Sequence, residues 1–320
     1  MKLALVIILT VVLGLFVLVE VGLRSLFGFG NPLIYIADEQ IGYLLAPNQR
    51  TRRFGNRIEI NEYSMRGAPI QKTPSLSTLR VFLLGDSIAN GGWWTDQTNT
   101  ISSLIMRSLA TVDISKYQVF EVLNASANSW GPRNELAYLL KFGTFNSQAV
   151  ILLINTDDLF ATAPTSLPVG RDRNYPDIKP ALALVEVLQR YVSKQKPIPE
   201  LQALQQETGD RVGVNLEAIS KIQALTRQNN CEFLLVMTPL LREIGEPGPR
   251  DYELKARQRL SEFAKEQQIT YIDFLPIFNS TKDVKAMYQD HIHLNLLGNQ
   301  LVSEKIERSL LELLGHHTKS

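Results

Sequence analysis

The sequence has few of the residues that build disulfides and metal centres. It contains one cysteine, Cys231, and four histidines in 320 residues. A single cysteine excludes an internal disulfide, and Cys231 lies too far along the chain from the histidines for any familiar metal-binding spacing. Because Cys231 begins a predicted strand, we expect its thiol to be buried.

An excess of one charge sign is also missing. Lys plus Arg (33) nearly equals Asp plus Glu (32), and no long basic run occurs. Domains that bind nucleic acids concentrate basic residues on one face. The composition therefore argues against a nucleic-acid partner, and it leaves the oligomeric state open.

Long apolar runs are confined to the N-terminus. Residues 3–19 are apolar apart from Thr10, with Lys2 before them and Glu20 and Arg24 after them. A helix needs about 20 apolar residues to span a bilayer, and residues 21–23 supply the rest if Glu20 lies near the interface. A cleaved signal peptide is the alternative, but no small-x-small cleavage site follows. We therefore expect an uncleaved, single-pass membrane anchor whose N-terminal end stays in the cytoplasm, with the remaining chain exported to the outer side.

One stretch, RVFLLGDSIANGG at residues 80–92, carries the first signal of chemistry. Residues 81–84 are continuously apolar, which is typical of a strand buried on both faces of a parallel sheet. Gly85 allows a sharp turn after that strand. Ser87 then lies beyond the carboxyl end of the strand, where open α/β sheets bind ligands. Turn composition alone also explains Gly-Asp-Ser, so a nucleophile is predicted only if a base accompanies it.

The candidate base lies near the other end of the sequence. Two of the four histidines belong to the polar tail 316–320, which leaves His291 and His293. Asp290 precedes His293 by three residues, so its carboxylate is able to orient the imidazole within one loop. A serine hydroxyl becomes a good nucleophile when such a base takes its proton. The alternative interpretation is that these polar residues only cap the following helix. The presence of Ser87 in a strand-end position favours the catalytic interpretation over this one.

These residues resemble the SGNH, or GDSL-type, hydrolase family, in particular its membrane-anchored bacterial members. Four blocks carry the resemblance: GDS at 85–87, VLNASANSWG at 122–131, VILLINTDDL at 150–159 and DHIHLN at 290–295. It spans about residues 32–314 with an unmatched insert. The resemblance implies a catalytic triad of Ser87, His293 and Asp290.

The alternation of strands and helices predicts a three-layer α/β/α sandwich around a central parallel sheet, the flavodoxin-like order. A transmembrane helix precedes it. We expect an anchor at 1–25 and an extended lead-in at 26–77 that packs on the following domain. The hydrolase domain is expected at 78–315, with an insert at 160–212, and a polar tail at 316–320. The insert, with six prolines, forms either a lid or substrate wall or a plain surface excursion.

The resemblance also implies three hydrogen-bond donors for the oxyanion that forms during acyl transfer. They are the Ser87 N–H, the N–H of a glycine in the second block, and an asparagine side chain in the third. The glycine position falls on Ser129, with Gly131 two residues later, and the asparagine position falls on Asp157. Because an ionised carboxylate repels an oxyanion, we hypothesise that Asn155 donates instead. A protonated Asp157 and a weak or altered catalyst are the alternatives.

Two tryptophans, Trp93 and Trp94, follow the serine stretch directly. They are candidates for the wall of an acyl or sugar pocket. Aromatic residues at such positions more often serve packing, so substrate binding by Trp93 and Trp94 remains a hypothesis.

The sequence thus predicts a membrane-anchored, exported serine esterase that acts on an acyl or acetyl ester of an envelope glycan or lipid. The chemistry requires no metal and no organic cofactor. An O-acyltransferase of the same fold uses the same chemistry. A catalytically silent envelope-binding or assembly protein is the alternative from another class, motivated by Asp157 and Ser129. A metal site of Asp290, His291 and His293 ranks third.

Overall fold

The computed structural model describes residues 1–112, 114 and 116–315, so the predicted polar tail 316–320 lies outside the described residues. The strands, in chain order, are β1 Tyr35–Asp38, β2 Gly42–Leu45, β3 Gln49–Arg53, β4 Asn56–Ile60, β5 Thr78–Gly85, β6 Val119–Ser126, β7 Ala149–Asn155, β8 Glu232–Thr238 and β9 Thr270–Asp273. The α-helices are α1 Lys2–Gly22, α2 Ser87–Asn90, α3 Ile101–Leu109, α4 Pro132–Phe142, α5 Ala183–Val187, α6 Pro199–Gln205, α7 Arg211–Gln228, α8 Asp251–Glu266, α9 Phe274–Asn279 and α10 Leu296–Leu313.

Strands β5 to β9 form one parallel sheet in the order β6-β5-β7-β8-β9. Numbered within the sheet, this is 2-1-3-4-5, the flavodoxin-like order. All eight residues of β5 are buried, as its continuous apolar run predicts for a strand covered on both faces. The predicted fold class is therefore confirmed.

Alternate residues of β5 pack into two separate cores. Phe82 and Leu84 face a core that contains apolar residues of α4, α7 and α8, whereas Val81 and Leu83 face a core that contains residues of α3, α9 and α10. The period of two along the strand produces this division. The result is the predicted three-layer arrangement, with the carboxyl ends of the strands free to carry the site.

Position 85 has no room for a side chain, so it requires a glycine. A Cβ at this position would lie 2.6 Å from the Leu153 carbonyl oxygen and 2.7 Å from the Ala89 Cβ. The φ angle of Gly85 is not in the left-handed region. The glycine therefore allows β7 and α2 to approach the end of β5, which explains its place before Ser87 more directly than the turn that the sequence suggests.

The N-terminal helix continues beyond α1 as a π-helical turn, Leu23–Phe27. The combined helix, Lys2–Phe27, is long and apolar enough to cross a membrane, with a mean hydropathy of 3.0 in an 18-residue stretch that is not buried against the rest of the chain. At its end, Glu20 accepts hydrogen bonds from the Ala183 N–H at 2.7 Å and the Leu184 N–H at 3.1 Å, and Arg24 donates to the Ala181 carbonyl at 2.8 Å. The helix end is thus bound directly to the 160–212 segment.

The segment predicted as an extended lead-in folds as two antiparallel hairpins, β1-β2 and β3-β4. Their apolar side chains, including Tyr43, Leu45 and Ile58, join the core on the α4 face of the sheet. The 160–212 segment holds the short helices α5 and α6. Both segments reach the carboxyl edge of the sheet, where they contribute to the site.

Candidate active site

Ser87 lies directly beyond β5, as the first residue of α2. Asp86 caps this helix, because its Oδ1 accepts the Ile88 N–H at 2.8 Å. The Ser87 Oγ lies 2.8 Å from Nε2 of His293. A hydroxyl within hydrogen-bond distance of an imidazole nitrogen is arranged for proton transfer.

His293 is held by Asp290 from the other side. The His293 Nδ1 lies 2.8 Å from the Asp290 Oδ2, while the Asp290 Oδ1 accepts the backbone N–H groups of Ile292 at 2.9 Å and His293 at 2.8 Å. Burial opposes ionisation of Asp290, but these hydrogen bonds outweigh it and lower its pKa below the ordinary value. The carboxylate is therefore ionised at neutral pH and fixes the imidazole orientation.

Both tryptophans lie beside these residues. The Trp94 ring packs on His293 with centroids 4.2 Å apart, and Trp93 packs on Phe54 with centroids 5.4 Å apart. Trp94 therefore restricts the imidazole on one face and is able to stabilise its protonated form. Trp93 is 45% exposed, which leaves its surface available at the cavity wall.

Two backbone N–H groups near Ser87 are free to donate. Among the described residues, neither the Ser87 N–H nor the Ser129 N–H donates to a protein acceptor. Ser129 has a φ of 57°, the left-handed region that usually favours glycine. Its hydroxyl accepts a hydrogen bond from Tyr175 at 3.0 Å, which supports this conformation. Ser129 thus adopts a backbone conformation of the kind that the family's glycine permits.

The other two candidate oxyanion donors are already engaged. The Gly131 N–H donates to the Asn134 Oδ1 at 3.1 Å. The Asn155 amide donates to the carboxylates of Asp86 at 2.8 Å and Asp158 at 3.0 Å. The hypothesis that Asn155 replaces the missing asparagine is therefore at odds with this geometry, because both of its amide hydrogens are shared with buried carboxylates.

Three buried acids surround Asn155 and α2. Asp86, Glu135 and Asp158 are all nearly inaccessible to solvent, and both carboxyl oxygens of Glu135 lack a hydrogen-bond partner among the described residues. Burial raises the pKa of each, and the neighbouring Asp86 raises the pKa of Glu135 and Asp158 further. This cluster favours shared protons over three separate negative charges.

Asp157, which the resemblance places at an asparagine position, is accessible. Desolvation by the surrounding protein raises its pKa above the ordinary value, and the positive charge of Arg242 partly opposes that shift. Its N–H donates to the Asn155 Oδ1 at 2.7 Å, so Asn155 and Asp157 together form the N-terminal turn of the short helix that follows β7. The side chain is left facing a cavity without a hydrogen-bond partner in the described structure.

Two cavities reach the serine, and a third adjoins one of them. The central cavity, about 260 Å³, is lined by Ser87, Trp93, Trp94, Ser129, Tyr175, His293 and arginines 53 and 190, among others. The outer cavity, about 260 Å³, is lined by Phe29, Arg53, Phe54, Trp93, Arg173, Asn174, Arg190 and Tyr191. The acidic cavity, about 640 Å³, also reaches Ser87 and His293 and is lined by Asp86, Asp157, Asp158 and Asp172 together with neutral and basic residues.

Sequence reasoning missed the residues that the lead-in and the insert bring to these cavities. Arg53 belongs to β3, whereas Tyr175 and Arg190 belong to the 160–212 segment. No spacing pattern links these positions, since they meet only through the fold. The insert therefore forms part of the wall beside Ser87, which agrees with the substrate-wall alternative.

Arg66, which follows β4 in the lead-in, contacts the loop that carries the site. Its buried guanidinium donates to the backbone carbonyls of Asn90, Gly92 and Thr95, which form the loop after Ser87. Burial lowers the pKa of Arg66 to about 9, which leaves it charged at neutral pH. Arg66 thereby fixes the loop that presents both tryptophans.

Metal binding has no support in the described part of the chain, where no three His, Cys, Asp or Glu side chains are grouped closely enough to hold a metal ion. The two residues of the candidate metal site nearest to each other, Asp290 and His293, bond to one another. His291 is exposed, and its Nδ1 lies 3.9 Å from Asp290. The Asp290–His293 contact is thus explained by the hydrogen bond between His293 and Ser87, without a metal ion.

Comparison with known proteins gives the family. The model of the GDSL-like lipase/acylhydrolase family matches residues 83–301. A search of the curated proteins found no match by sequence.

Solved structures with a similar fold include three bacterial proteins. One is a catalytic mutant of an acetylxylan esterase from Geobacillus stearothermophilus, at 14% identity, TM-score 0.46, covering 75% of this chain and 95% of that one. A lipase/acylhydrolase from Enterococcus faecalis has 14% identity and TM-score 0.45, covering 72% and 95%. A lipolytic protein of the G-D-S-L family from Veillonella parvula has 13% identity and TM-score 0.46, covering 75% and 100%.

Proposed function

Since the chain belongs to the GDSL-like lipase/acylhydrolase family, we propose that it is a membrane-anchored, exported serine ester hydrolase. Its substrate is an acyl or acetyl ester of an envelope glycan or lipid. The observation that carries the proposal is the unbroken hydrogen-bond chain from Ser87 Oγ through His293 to Asp290, with both links at 2.8 Å.

In this proposal the Ser87 Oγ attacks the ester carbonyl while His293 Nε2 takes the serine proton. Ionised Asp290 stabilises the imidazolium that results. The tetrahedral intermediate collapses, the ester C–O bond breaks, and the leaving oxygen takes the proton from His293. Water then attacks the acyl-enzyme by the same steps in reverse, which releases the acid and restores Ser87.

The oxyanion receives hydrogen bonds from the backbone N–H groups of Ser87 and Ser129. This assignment rests on their having no protein acceptor among the described residues and on their common position at the central cavity. Backbone donors aimed at the developing charge supply a large part of the barrier reduction in acyl transfer. An O-acyltransferase differs only in the group that attacks the acyl-enzyme.

One observation favours a second candidate, a catalytically silent envelope-binding protein. Asp157 stands where the family has an asparagine, and the nearby Asn155 amide is bound to Asp86 and Asp158. A side-chain oxyanion donor is therefore missing, and losing one donor costs about 3 to 4 kcal/mol of barrier.

Labelling with a fluorophosphonate probe separates the two candidates. The full chain in detergent micelles is the right sample, because Glu20 and Arg24 bind the insert and truncation would remove those contacts. Labelling that vanishes in Ser87→Ala, together with hydrolysis of p-nitrophenyl acetate, is the expected result. An unlabelled but folded wild-type protein would instead favour the silent binder.

A further inference from the structure

The cavities on one side of Ser87 are rich in arginine and lack acids. The central and outer cavities share Arg53, Trp93, Asn174 and Arg190, so they form one continuous path away from the serine. Neither lining contains an aspartate or glutamate. A negatively charged group that enters this path therefore meets guanidinium groups in the lining, where two of them share the carboxylate of Glu186 behind it.

The arginines have unused hydrogen-bonding capacity. Arg53 is buried and paired with the carboxylate of Glu186, but its Nη1 has no hydrogen-bond partner among the described residues. Arg190 donates from Nε to the same Glu186 at 2.8 Å, and its two terminal nitrogens donate to no acceptor in the described structure. One carboxylate thus serves two guanidinium groups, and Arg173 adds a third positive charge at the outer cavity.

This arrangement costs free energy unless an anion completes it. Burial of Arg53 lowers the pKa of its guanidinium, which shows that the charge is poorly solvated there. Its guanidinium carbon lies 4.4 Å from the centre of the Phe29 ring, a contact that compensates only in part. An unpaired donor on a buried charged group is the kind of feature that a ligand satisfies.

The arginine path lies at the membrane end of the molecule. Glu186 belongs to α5, whose first residue, Ala183, donates to Glu20 at the end of the N-terminal helix. The rim of the outer cavity is aromatic, with Phe29, Phe54, Trp93 and Tyr191. Nearby apolar side chains are open to solvent, including Val192 at 70% exposed. A ligand that approaches from a bilayer therefore meets aromatic and apolar side chains beside the arginines.

We propose that Arg53, Arg173 and Arg190 form an anion subsite that holds a phosphate group of an amphiphilic ester while its carbonyl lies at Ser87. This inference rests on the proposed function and names its substrate class. Guanidinium groups bind phosphate with two parallel hydrogen bonds, and a tetrahedral phosphate accepts from several donors at once. The hydrocarbon part lies along the aromatic rim toward the membrane.

The test compares two esters that differ only in the phosphate, decanoylglycerol phosphate and monodecanoylglycerol. Release of decanoic acid by the full chain in nonionic detergent is measured for each. We expect kcat/KM to be at least about tenfold higher for the phosphorylated ester. In Arg190→Gln and Arg173→Gln this preference falls toward one. Equal rates for the two esters in the wild-type protein would overturn the subsite and leave the esterase function standing.

Arg171→Gln is the matched control. Arg171 belongs to the same segment but lines neither cavity, and it pairs with Glu200 at the surface at 2.9 Å. We expect it to keep the full preference. Arg53→Gln is avoided as the main variant because it leaves buried Glu186 with Arg190 as its one charged partner among the described residues. Melting temperatures equal to that of the wild-type protein show that the other variants are folded. An equal loss in Arg171→Gln would show a general charge effect and overturn the assignment.

Binding provides a readout without catalysis and identifies the source of the phosphate. Ser87→Ala is titrated with a diether phosphatidylglycerol, which has no ester to cleave, and with inorganic phosphate. Tight binding of the diether lipid that weakens at least tenfold in Ser87→Ala/Arg190→Gln supports the proposal even if hydrolysis is absent. Equally tight binding of inorganic phosphate would show a site for free phosphate and would overturn the proposal that the ligand is an amphiphile. If neither compound binds, the anion subsite itself is overturned.

Discussion

The two sides of the candidate nucleophile differ in their ionisable side chains. The central cavity reaches Ser87 and His293 with two arginines and no carboxylate in its lining, whereas the acidic cavity reaches the same two residues with four aspartates. In our proposal, a substrate that spans the serine is therefore oriented by charge. Its anionic part is attracted to one side and repelled from the other, which gives direction as well as affinity.

The same contrast limits where the oxyanion can be stabilised. On the acidic side, Asn155 is bound by Asp86 and Asp158, and Asp157 presents a carboxyl group. Neither of these two side chains is a free donor for negative charge that develops on a substrate. The backbone N–H groups of Ser87 and Ser129 border both cavities and have no protein acceptor among the described residues. In our proposal the oxyanion is therefore held by these backbone groups and not by a side chain of the acidic cavity.

The largest effect is expected at the junction of the two sides, where Asp290 orients His293. Asp290→Asn should lower kcat by about 10³- to 10⁴-fold, because an amide in place of the carboxylate favours the wrong imidazole tautomer. Rates of p-nitrophenyl acetate hydrolysis by the full chain measure the effect. Asp283→Asn, an exposed aspartate in the same region with a left-handed φ of 51° that asparagine also tolerates, should leave the rate unchanged. A loss below tenfold in Asp290→Asn would remove Asp290 from the proposed triad.

An intermediate effect of opposite sign is expected at Asp157. Asp157→Asn should raise kcat for the same ester by up to about tenfold, since it removes a carboxylate and adds a possible oxyanion donor. The gain should shrink as the pH falls, because the raised pKa of Asp157 means that it protonates before an ordinary aspartate does. The measurement is a pH–rate profile of both proteins.

Asp172→Asn is the control for this gain. Asp172 lines the same cavity from the insert, and its Oδ1 accepts the Asn174 N–H at 2.7 Å, a bond that asparagine also accepts. We expect no increase in rate. A similar increase in both variants would assign the effect to the overall charge of the acidic cavity, whereas a decrease in Asp157→Asn would make the carboxylate useful to the reaction.

The parts that the sequence predicts are those with local signals. The five-stranded sheet follows from continuous apolar runs and alternating helices, and the structure confirms it. Ser87 lies at a strand end because Gly85 interrupts the run, and Asp290 and His293 lie three residues apart, so their contact needs only one loop. Their hydrogen-bond geometry in the structure accords with these patterns, and their catalytic roles stay predictions.

The parts that the sequence does not predict depend on long-range contacts. Arg53 and Arg190 are paired through Glu186, and no periodicity in a proline-rich insert predicts that pairing. The Asn155 hypothesis conflicts with the structure for a related reason. The composition of the third block shows an asparagine near the right place, but only the fold shows that Asp86, 69 positions earlier, takes its amide hydrogen.

The smallest effect is expected from Glu135, a buried glutamate whose pKa is influenced by Asp86 of the acidic cavity. Burial and nearby Asp86 raise its pKa well above the ordinary value of 4.5. The folded protein therefore keeps a proton that the unfolded chain loses as the pH rises above that value. Stability is then greatest at low pH and falls as the pH rises toward the folded pKa, by at most about 1.4 kcal/mol for each pH unit.

Glu135→Gln removes this titration and keeps the shape of the side chain. Its melting temperature relative to wild type should therefore increase with pH between 5 and 9, by roughly a few degrees. Thermal unfolding of the full chain in one detergent measures the trend, and Glu312→Gln, an exposed glutamate of α10, should show none. A difference that does not change with pH would mean that Glu135 titrates alike in the folded and unfolded chain. The buried acids around α2 would then not share protons in the way that their burial implies.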